Sequence, residues 1–219
     1  MVNVTVTMLV DSWRDLAFSY APEGSRGAVE ALFALDAALG DVLRTTREPL
    51  VGQMRLAWWR ESLQRLDAAE PPAEPVLRAL SATVLPLAVS GAALSAMVDA
   101  WEPLLSEIGP ETIDSHARLR GRQLFEAVGR AVDAAPGDPV GEAGEGWALA
   151  DLAGNLSDAG QASLAHERAL VALARARATR WNRNGRALGA LAMIAQRRLA
   201  GAIPPTFVFR LALFRLTGR

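Results

Sequence analysis

The stretch Ser25-Arg-Gly-Ala-Val-Glu-Ala-Leu-Phe-Ala-Leu-Asp36, followed by Glu48-Pro-Leu-Val-Gly-Gln-Met-Arg-Leu-Ala-Trp-Trp-Arg60, decides the fold class of this chain. From its first part onward, apolar residues recur at spacings of three and four, at Val29, Leu32, Phe33, Leu39 and Leu43. These spacings are typical of an amphipathic helix with one buried face. They predict a helix from Ser25 to about Arg47.

The second part of the stretch predicts another helix, over residues 50–66, with two apolar stripes. One stripe consists of Leu56, Trp59, Leu63 and Leu66, and the other consists of Leu50, Met54 and Trp58. The two stripes lie roughly on opposite sides at about 100° per residue. We therefore predict a central helix that is covered on both sides, with Trp58 and Trp59 in the core.

The rest of the chain is divided into helix-length pieces by clusters of Gly and Pro. These clusters fall at residues 22–24, 48–49, 71–75, 109–110, 136–141 and 204–205. Strand-like alternation is confined to the first few residues, and no internal repeat or long linker is present. A 219-residue chain that is 51% hydrophobic can bury one sizeable core. We predict an all-α protein with a single domain over residues 1–219.

Composition excludes several classes of function. The chain has no Cys and two His, so disulfides, thiolate metal sites and histidine-rich sites are not expected. Phosphate-binding glycine loops, nucleophile elbows and nucleic-acid modules are absent, and we expect no nucleic-acid partner. No apolar run reaches the roughly 18 to 20 residues that cross a bilayer, and we expect a cytoplasmic protein.

Charge is distributed unevenly along the chain. Residues 159–219 contain eleven Arg and one acidic residue, Glu167. Pairing with acids elsewhere in the fold, an acidic partner, and an anionic membrane surface all account for this asymmetry. The segment 207–216 is apolar nearly all round and must be covered by the domain, another subunit or a membrane interface. We therefore include peripheral contact with the inner membrane face as a hypothesis.

Asp36 lies in the middle of the apolar stripe of the first predicted helix. A buried carboxylate requires a partner, and the expected partners are Arg44, Arg47 or a group on a facing helix. An interior salt bridge with a purely structural role is one interpretation of this residue. A functional carboxylate in a cavity is the other.

A second polar stripe consists of Asp151, Asn155 and Asp158, opposite Leu149, Leu152 and Leu156 on one predicted helix. A solvated face is the simplest interpretation. Gly154 weakens it, because a glycine inside a helix costs about 1 kcal/mol relative to Ala and often marks close approach of another group.

The two stretches quoted first resemble the first conserved region of the squalene/phytoene synthase family. Gly144-Glu-Gly-Trp-Ala-Leu-Ala-Asp-Leu-Ala-Gly-Asn-Leu-Ser-Asp158 resembles the second region, and residues 186–198 resemble the family's late helices. The resemblance implies an isoprenoid (terpenoid) synthase-like helical bundle around a central cavity. Active members of that family hold Mg²⁺ and a prenyl diphosphate between two aspartate-rich helix motifs.

Both motifs are degenerate in this chain. The outer acid positions of the first are Gly40 and Arg44, and only the middle Asp41 remains; the second retains Asp158, but Ala162 stands one turn later. By resemblance, the candidate catalytic residues are Asp36, Asp41 and Asp158, with Asp158 also a candidate metal ligand. The candidate ligand-binding residues are Arg44, Arg47, Asp151 and Asn155.

The pattern Glu-Pro-Leu-X-Gly-X-Met-Arg-Leu-X-Trp-Trp-Arg is similar to a non-catalytic branch of the family, which includes mitochondrial complex I assembly factors. The resemblance implies a protein that binds a protein partner, an isoprenoid or an anionic lipid, with no cofactor. The alternative is an active Mg²⁺-dependent prenyl diphosphate synthase in which Asp36, Asp41, Asp151 and Asp158 form an altered metal site. A metal-free site in which Arg44 and Arg47 hold an anionic headgroup is a third hypothesis.

Overall fold

The computed structural model describes residues 12–106 and 108–219, which form helices and connecting turns without a β-strand. The strand-like alternation of the first few residues lies outside this part of the chain. The helices are α1 (12–18), α2 (Arg26–Thr45), α3 (Pro49–Arg65), α4 (Pro75–Thr83), α5 (Gly91–Ser95), α6 (Pro110–His116), α7 (Gln123–Ala131), α8 (Val140–Asn155), α9 (Ala159–Ala178), α10 (Arg186–Leu199) and α11 (Phe207–Thr217). A π-helical segment, Ala117–Arg122, joins α6 to α7. The predicted all-α class is confirmed.

Proline and capping residues explain where several helices begin. Pro49, Pro75 and Pro110 occupy the first turns of α3, α4 and α6, where a missing backbone N–H removes no helical hydrogen bond. The Glu74 carboxylate accepts a hydrogen bond from the backbone N–H of Leu77 at 2.8 Å. The Ser90 hydroxyl caps α5 in the same way, through the N–H of Ala93. The predicted Gly and Pro breaks therefore coincide with real helix boundaries.

Helix α8 lies among several neighbours in the C-terminal half of the bundle. It packs against α7, α9, α10 and the π-helical segment, while α2 packs against α3, α4 and α7. The predicted stripe of α2 is buried at Val29, Leu32 and Leu39, which are fully inaccessible to solvent. This part of the core forms one wall of the cavity described below.

The prediction for α3 is only half right. Leu56, Trp59 and Leu63 are buried as expected, but Leu50 is 67% exposed, Met54 66% and Trp58 46%. One stripe packs on the domain, and the other faces solvent. The prediction of a helix covered on both sides, with Trp58 in the core, is wrong because no other helix of the described chain reaches that side.

Helix α11 is also covered on one side only. Phe207, Leu211 and Phe214 are buried, whereas Phe209 and Leu216 are among the most exposed large apolar residues described. Within the described residues, no helix is both long enough and apolar enough to span a membrane. The assignment of residues 1–219 to a single domain stays a prediction.

Candidate functional site

A cavity of about 910 Å³ opens between α2, α8, α9, α10 and the π-helical segment. Its apolar wall includes Phe33, Trp101, Trp147, Leu191 and Ile194. Its charged lining residues, within the described chain, are Arg14, Asp36, Arg44, Arg120, Asp151 and Arg198. Four arginines and two aspartates give the wall an excess of positive charge. The cavity is therefore suited to an apolar molecule that carries an anionic group.

Arg120 lies at the inner end of the cavity and is 5% exposed. Its Nε and Nη2 donate to the two carboxylate oxygens of Asp36, at 2.8 and 2.9 Å. Its Nη1 donates to the Asp151 carboxylate at 2.6 Å. A planar guanidinium fits this bidentate arrangement, and it compensates both acids of the cavity wall at once. The protein's own cation thus occupies the carboxylates that could otherwise bind a metal ion.

Two tryptophans enclose the Arg120 guanidinium. Its central carbon lies 4.5 Å from the ring centroid of Trp101 and 4.7 Å from that of Trp147. Cation–π contacts with desolvated indole rings stabilise the charge by about 2 kcal/mol each. Ion pairs and aromatic rings therefore hold the same side chain in a single position.

His116 supports Arg120 from one turn earlier in the chain. Its Nδ1 lies 2.9 Å from the carbonyl oxygen of Ala100, and its Nε2 lies 3.4 Å from Nη1 of Arg120. Since the carbonyl can only accept and the guanidinium can only donate, Nδ1 carries the proton and Nε2 is the acceptor. Burial and the nearby charge of Arg120 lower the pKa of His116 to about 4. The ring is therefore neutral at physiological pH.

Arg120 and its two aspartates, Asp36 and Asp151, stabilise one another in their charged forms. Burial by itself lowers the pKa of Arg120, but Asp36 and Asp151 outweigh it and raise that pKa above its ordinary value. Burial raises the pKa of Asp151, but the charge and hydrogen bond of Arg120 lower it overall. Arg120 therefore stays cationic, and Asp151 stays anionic, over the whole physiological pH range.

Two glycines allow the π-helical segment and α8 to approach closely. A Cβ atom on Gly121 would overlap the carbonyl oxygen of Gly144, and a Cβ on Gly144 would overlap that of Gly121. Only residues without a side chain fit at this crossing. The close approach places Arg120, next to Gly121, within reach of Asp151 and Trp147 on α8.

The segment that resembles the family's first motif lies at the rim of the cavity. Arg44 lines the cavity but is 62% exposed, and its Nη2 pairs with Asp41 at 2.6 Å, not with Asp36. Gly40 lies against Trp101, since a Cβ there would be 3.1 Å from the indole ring. Arg47 is exposed and does not line the cavity. The prediction that Arg44 or Arg47 pairs with Asp36 is wrong; the alternative partner on a facing helix is correct.

The segment that resembles the family's second motif is split between two helices. Helix α8 ends at Asn155, and Asp158 instead caps α9, where its carboxylate accepts a hydrogen bond from the backbone N–H of Gln161 at 2.8 Å. Asp151 and Asn155 line the cavity together with Ala162, but Asp158 does not. The prediction that Asp158 shares a helix face with Asp151 and Asn155 is wrong, since the chain turns at residues 156–157.

Asn155 and Gly154 lie at the open side of the cavity. The Asn155 side-chain amide donates to the backbone carbonyl of Asp151 at 2.7 Å. A Cβ on Gly154 would meet no atom within 4 Å. The interpretation of Gly154 as a point of close approach is therefore wrong, and the close approach on α8 is at Gly144 instead.

Mg²⁺ is the ion that the family resemblance implies, and carboxylates would have to hold it. Magnesium needs oxygen ligands from groups that share one octahedral site. Asp36 and Asp151 are both hydrogen-bonded to Arg120, and Asp41 is paired with Arg44. Among the described residues, no three side chains from His, Cys, Asp and Glu form a group that could hold a metal ion. The residues present do not fit a Mg²⁺ diphosphate site.

Arg120 is the central residue that the sequence analysis missed. It stands four residues after His116 and four before Leu124, within a run of buried positions that includes Ile113 and Ala117. A charged residue at a buried position requires an opposite charge nearby. The sequence also predicts that Asp36 is a buried carboxylate that needs a positively charged partner. This complementarity was the available signal. The neighbouring Arg118 and Arg122 obscure this signal, because three arginines in five residues are typical of a basic helix face exposed to solvent.

Comparison with known proteins finds a family model that matches part of the chain. The model of the squalene/phytoene synthase family matches residues 9–117. No curated protein and no solved structure matches the chain significantly. The match covers just under half of the chain and supports the squalene/phytoene synthase family, whose isoprenoid synthase-like fold is all-α like the architecture described above. The resemblance to the assembly-factor branch is not confirmed, and the resemblance of residues 144–158 lies beyond the matched part.

Proposed function

We propose that this chain, a squalene/phytoene synthase-like protein by its family match, is a metal-independent binding protein and not a prenyl transferase. The cavity would hold an isoprenoid or lipid whose anionic headgroup contacts arginines directly. The observation that carries the proposal is the position of Arg120. Its guanidinium binds both Asp36 and Asp151, the two carboxylates that line the cavity.

The cavity wall supports an amphipathic ligand. Its apolar part, with Phe33, Leu191 and Ile194, suits a hydrocarbon chain, and Arg44 stands at the rim with most of its side chain exposed. An arginine presents several N–H donors that match phosphate oxygens. Arg44 is therefore the residue we assign to the headgroup, because the charge of Arg120 is already compensated by its two aspartates.

The alternative function, an active Mg²⁺-dependent synthase with an altered site, requires several carboxylates to share one ion. Of its four proposed aspartates, two bind Arg120, Asp41 binds Arg44, and Asp158 caps α9. If these carboxylates bound a metal ion instead, the ion pairs with Arg120 and Arg44 and the cap of α9 would be lost. The geometry therefore favours binding over prenyl transfer.

The test is to incubate the purified protein with farnesyl or geranylgeranyl diphosphate, with and without Mg²⁺. Product formation and the melting temperature are both followed. We expect no product and the same rise in melting temperature in both conditions, since a ligand that binds only the folded state stabilises it. Mg²⁺-dependent turnover would overturn the proposal and restore the synthase alternative, in which Asp158→Asn must abolish activity.

Arg44 and Arg47 provide a matched pair of variants for this test. Both are exposed arginines, but only Arg44 lines the cavity. Arg44→Gln should reduce the ligand-induced rise in melting temperature, and Arg47→Gln should leave it unchanged. Equal effects of the two substitutions would place the headgroup outside the cavity.

A specific feature of α3 also favours binding of a protein partner. Leu50, Met54 and Trp58 form an exposed apolar stripe within the family-matched residues, next to charges of both signs at Arg55 and Glu61. Exposed apolar surface with a mixed polar rim is typical of protein interfaces. Met54→Glu should abolish retention of such a partner. Leu170→Glu, at an exposed apolar position of α9, should not.

A further inference from the structure

Helix α11 presents an apolar face that the rest of the described chain leaves uncovered. Phe209 is 74% exposed, Leu213 58% and Leu216 77%. At about 100° per residue, these three side chains lie within one sector of the helix, opposite the buried Phe207 and Phe214. Contiguous exposed apolar residues of this kind often mark a surface that contacts a protein or a membrane.

The charged residues of α11 lie at the two edges of that face. Arg210 and Arg215 are exposed and stand on opposite borders between the buried and the exposed sectors. Their guanidinium carbons lie over aromatic rings, 5.9 Å from the centroid of Phe207 and 5.0 Å from that of Tyr20. Arginines on the borders of an apolar face are typical of a helix that lies in a membrane interface.

A cleft of about 620 Å³ adjoins this helix at Leu216. Arg26, Arg183, Arg186 and Arg215 line it, and Glu23 is its one acidic lining residue among the described residues. Four guanidinium groups around a small open volume give it a strongly positive potential. Among the described residues, the cleft and the central cavity share no lining residue.

Most of the arginines after residue 158 form no salt bridge with an acidic residue in the described part of the chain. Arg168 forms a salt bridge with Asp114. Arg198 aside, the other nine make no salt bridge with any described acidic residue. Pairing within the fold, one of the three explanations for the basic tail, therefore accounts for little of its charge. The charge remains available to an external anion.

We propose that α11 lies in the plane of an anionic phospholipid surface, with Phe209, Leu213 and Leu216 among the acyl chains. The arginine cleft beside Leu216 receives lipid headgroup phosphates, and Arg210 contacts phosphates on the opposite border. A second copy of this chain is a poorer occupant, because it would bring its own unpaired arginines to the same place. The apolar stripe of α3 differs in this respect, since both signs of charge surround it.

The experiment is co-sedimentation with phosphatidylcholine vesicles, with or without phosphatidylglycerol. We expect binding that depends on phosphatidylglycerol and weakens as salt is raised, since screening shortens the reach of the arginines. The double variant Phe209→Asp with Leu213→Asp should bind the vesicles roughly tenfold more weakly than the unchanged protein, because two apolar side chains no longer enter the bilayer. Both positions are exposed, so the fold should survive, as circular dichroism can verify.

Three variants make the test specific. Arg183→Gln with Arg215→Gln should lower binding and flatten its salt dependence. Met54→Asp, the same kind of change on the exposed stripe of α3, should leave vesicle binding unchanged. Arg47→Gln, at an exposed arginine that lines neither the central cavity nor the arginine cleft, should also leave it unchanged.

The opposite results would overturn the proposal. They are an absence of sedimentation with phosphatidylglycerol vesicles, equal binding to phosphatidylcholine alone, or a loss in Met54→Asp as large as that in the α11 variant. Self-association that the α11 variant abolishes, without vesicle binding, would identify a second copy as the occupant instead.

Discussion

The inner end and the outer rim of the cavity contain the same chemical pair, arginine with aspartate, in opposite settings. At the inner end, Arg120 and Asp36 both have side chains that are 7% exposed, and two tryptophans enclose the guanidinium. At the rim, Arg44 and Asp41 are 62% and 57% exposed and pair across less than one turn of α2. The two pairs have similar hydrogen-bond distances, between 2.6 and 3.1 Å.

The difference lies in what happens when one partner is lost. A charge left alone in the interior has no water to solvate it, whereas an exposed charge is solvated at once. The inner pair is therefore a fixed structural element, and the rim pair can open for a ligand. This contrast explains why Arg44, and not Arg120, is assigned to the headgroup of a bound molecule.

The largest effect is expected for Arg120→Met. The substitution leaves Asp36 buried without a counter-charge, and we expect a loss of about 3 to 5 kcal/mol in the free energy of unfolding. Urea unfolding measures it. The double variant Asp36→Leu with Arg120→Met removes both charges and should be more stable than Arg120→Met alone. Additive losses would show that the two side chains are not coupled.

A second expected effect concerns pH and His116. Its pKa in the folded state, about 4, lies below the value of about 6.5 expected for the unfolded chain. Between these values the unfolded chain binds more protons, so the free energy of unfolding decreases as the pH falls from 6.5 toward 4. The total decrease is about 3 kcal/mol. Chemical unfolding at several pH values measures this slope.

The two histidines of the chain supply the control for that measurement. His116→Gln should flatten the slope of stability between pH 6.5 and 4, whereas His166→Gln at the cavity wall should keep it. The charge of Asp151, whose pKa is lowered, affects stability only at still lower pH. A slope that survives His116→Gln would locate the pH dependence elsewhere.

A smaller effect is expected for Gly144→Ala, which tests how the inner end is assembled. The new methyl group would overlap the carbonyl oxygen of Gly121 and force α8 away from the π-helical segment. We expect a loss of about 1 to 3 kcal/mol and a change in the near-ultraviolet circular dichroism of Trp147. Gly154→Ala on the same helix meets no atom and should be neutral or stabilising by up to about 1 kcal/mol.

The smallest effect is expected at the rim. Asp41→Asn breaks an exposed pair with Arg44 and should change the free energy of unfolding by about 0.2 to 1 kcal/mol. High salt should reduce this difference, because water and ions screen both charges. Thermal unfolding at two salt concentrations measures it. A loss comparable to that of Arg120→Met would contradict the distinction between the two ends of the cavity.

Helix positions and most buried faces could be predicted from the sequence. The stripe of α2 and the boundaries at Pro49, Pro75 and Pro110 depend on interactions within a few residues, and these follow from spacing and backbone chemistry. The uncovered sides of α3 and α11 could not be predicted in the same way. An apolar stripe indicates what a helix can bury, but the number of neighbouring helices decides what is buried.

The sequence by itself determined the all-α class and the need of Asp36 for a counter-charge, and its resemblance to a family drew attention to Gly40, Arg44 and Ala162. Tertiary structure alone decided that this counter-charge is Arg120, which is 84 residues away along the chain. It also decided that Gly144 and Gly121 meet and that Asp158 caps α9 outside the cavity. The physical reason is that an ion pair depends on distance in space. Helix packing sets that distance, and spacing along the chain does not reveal it.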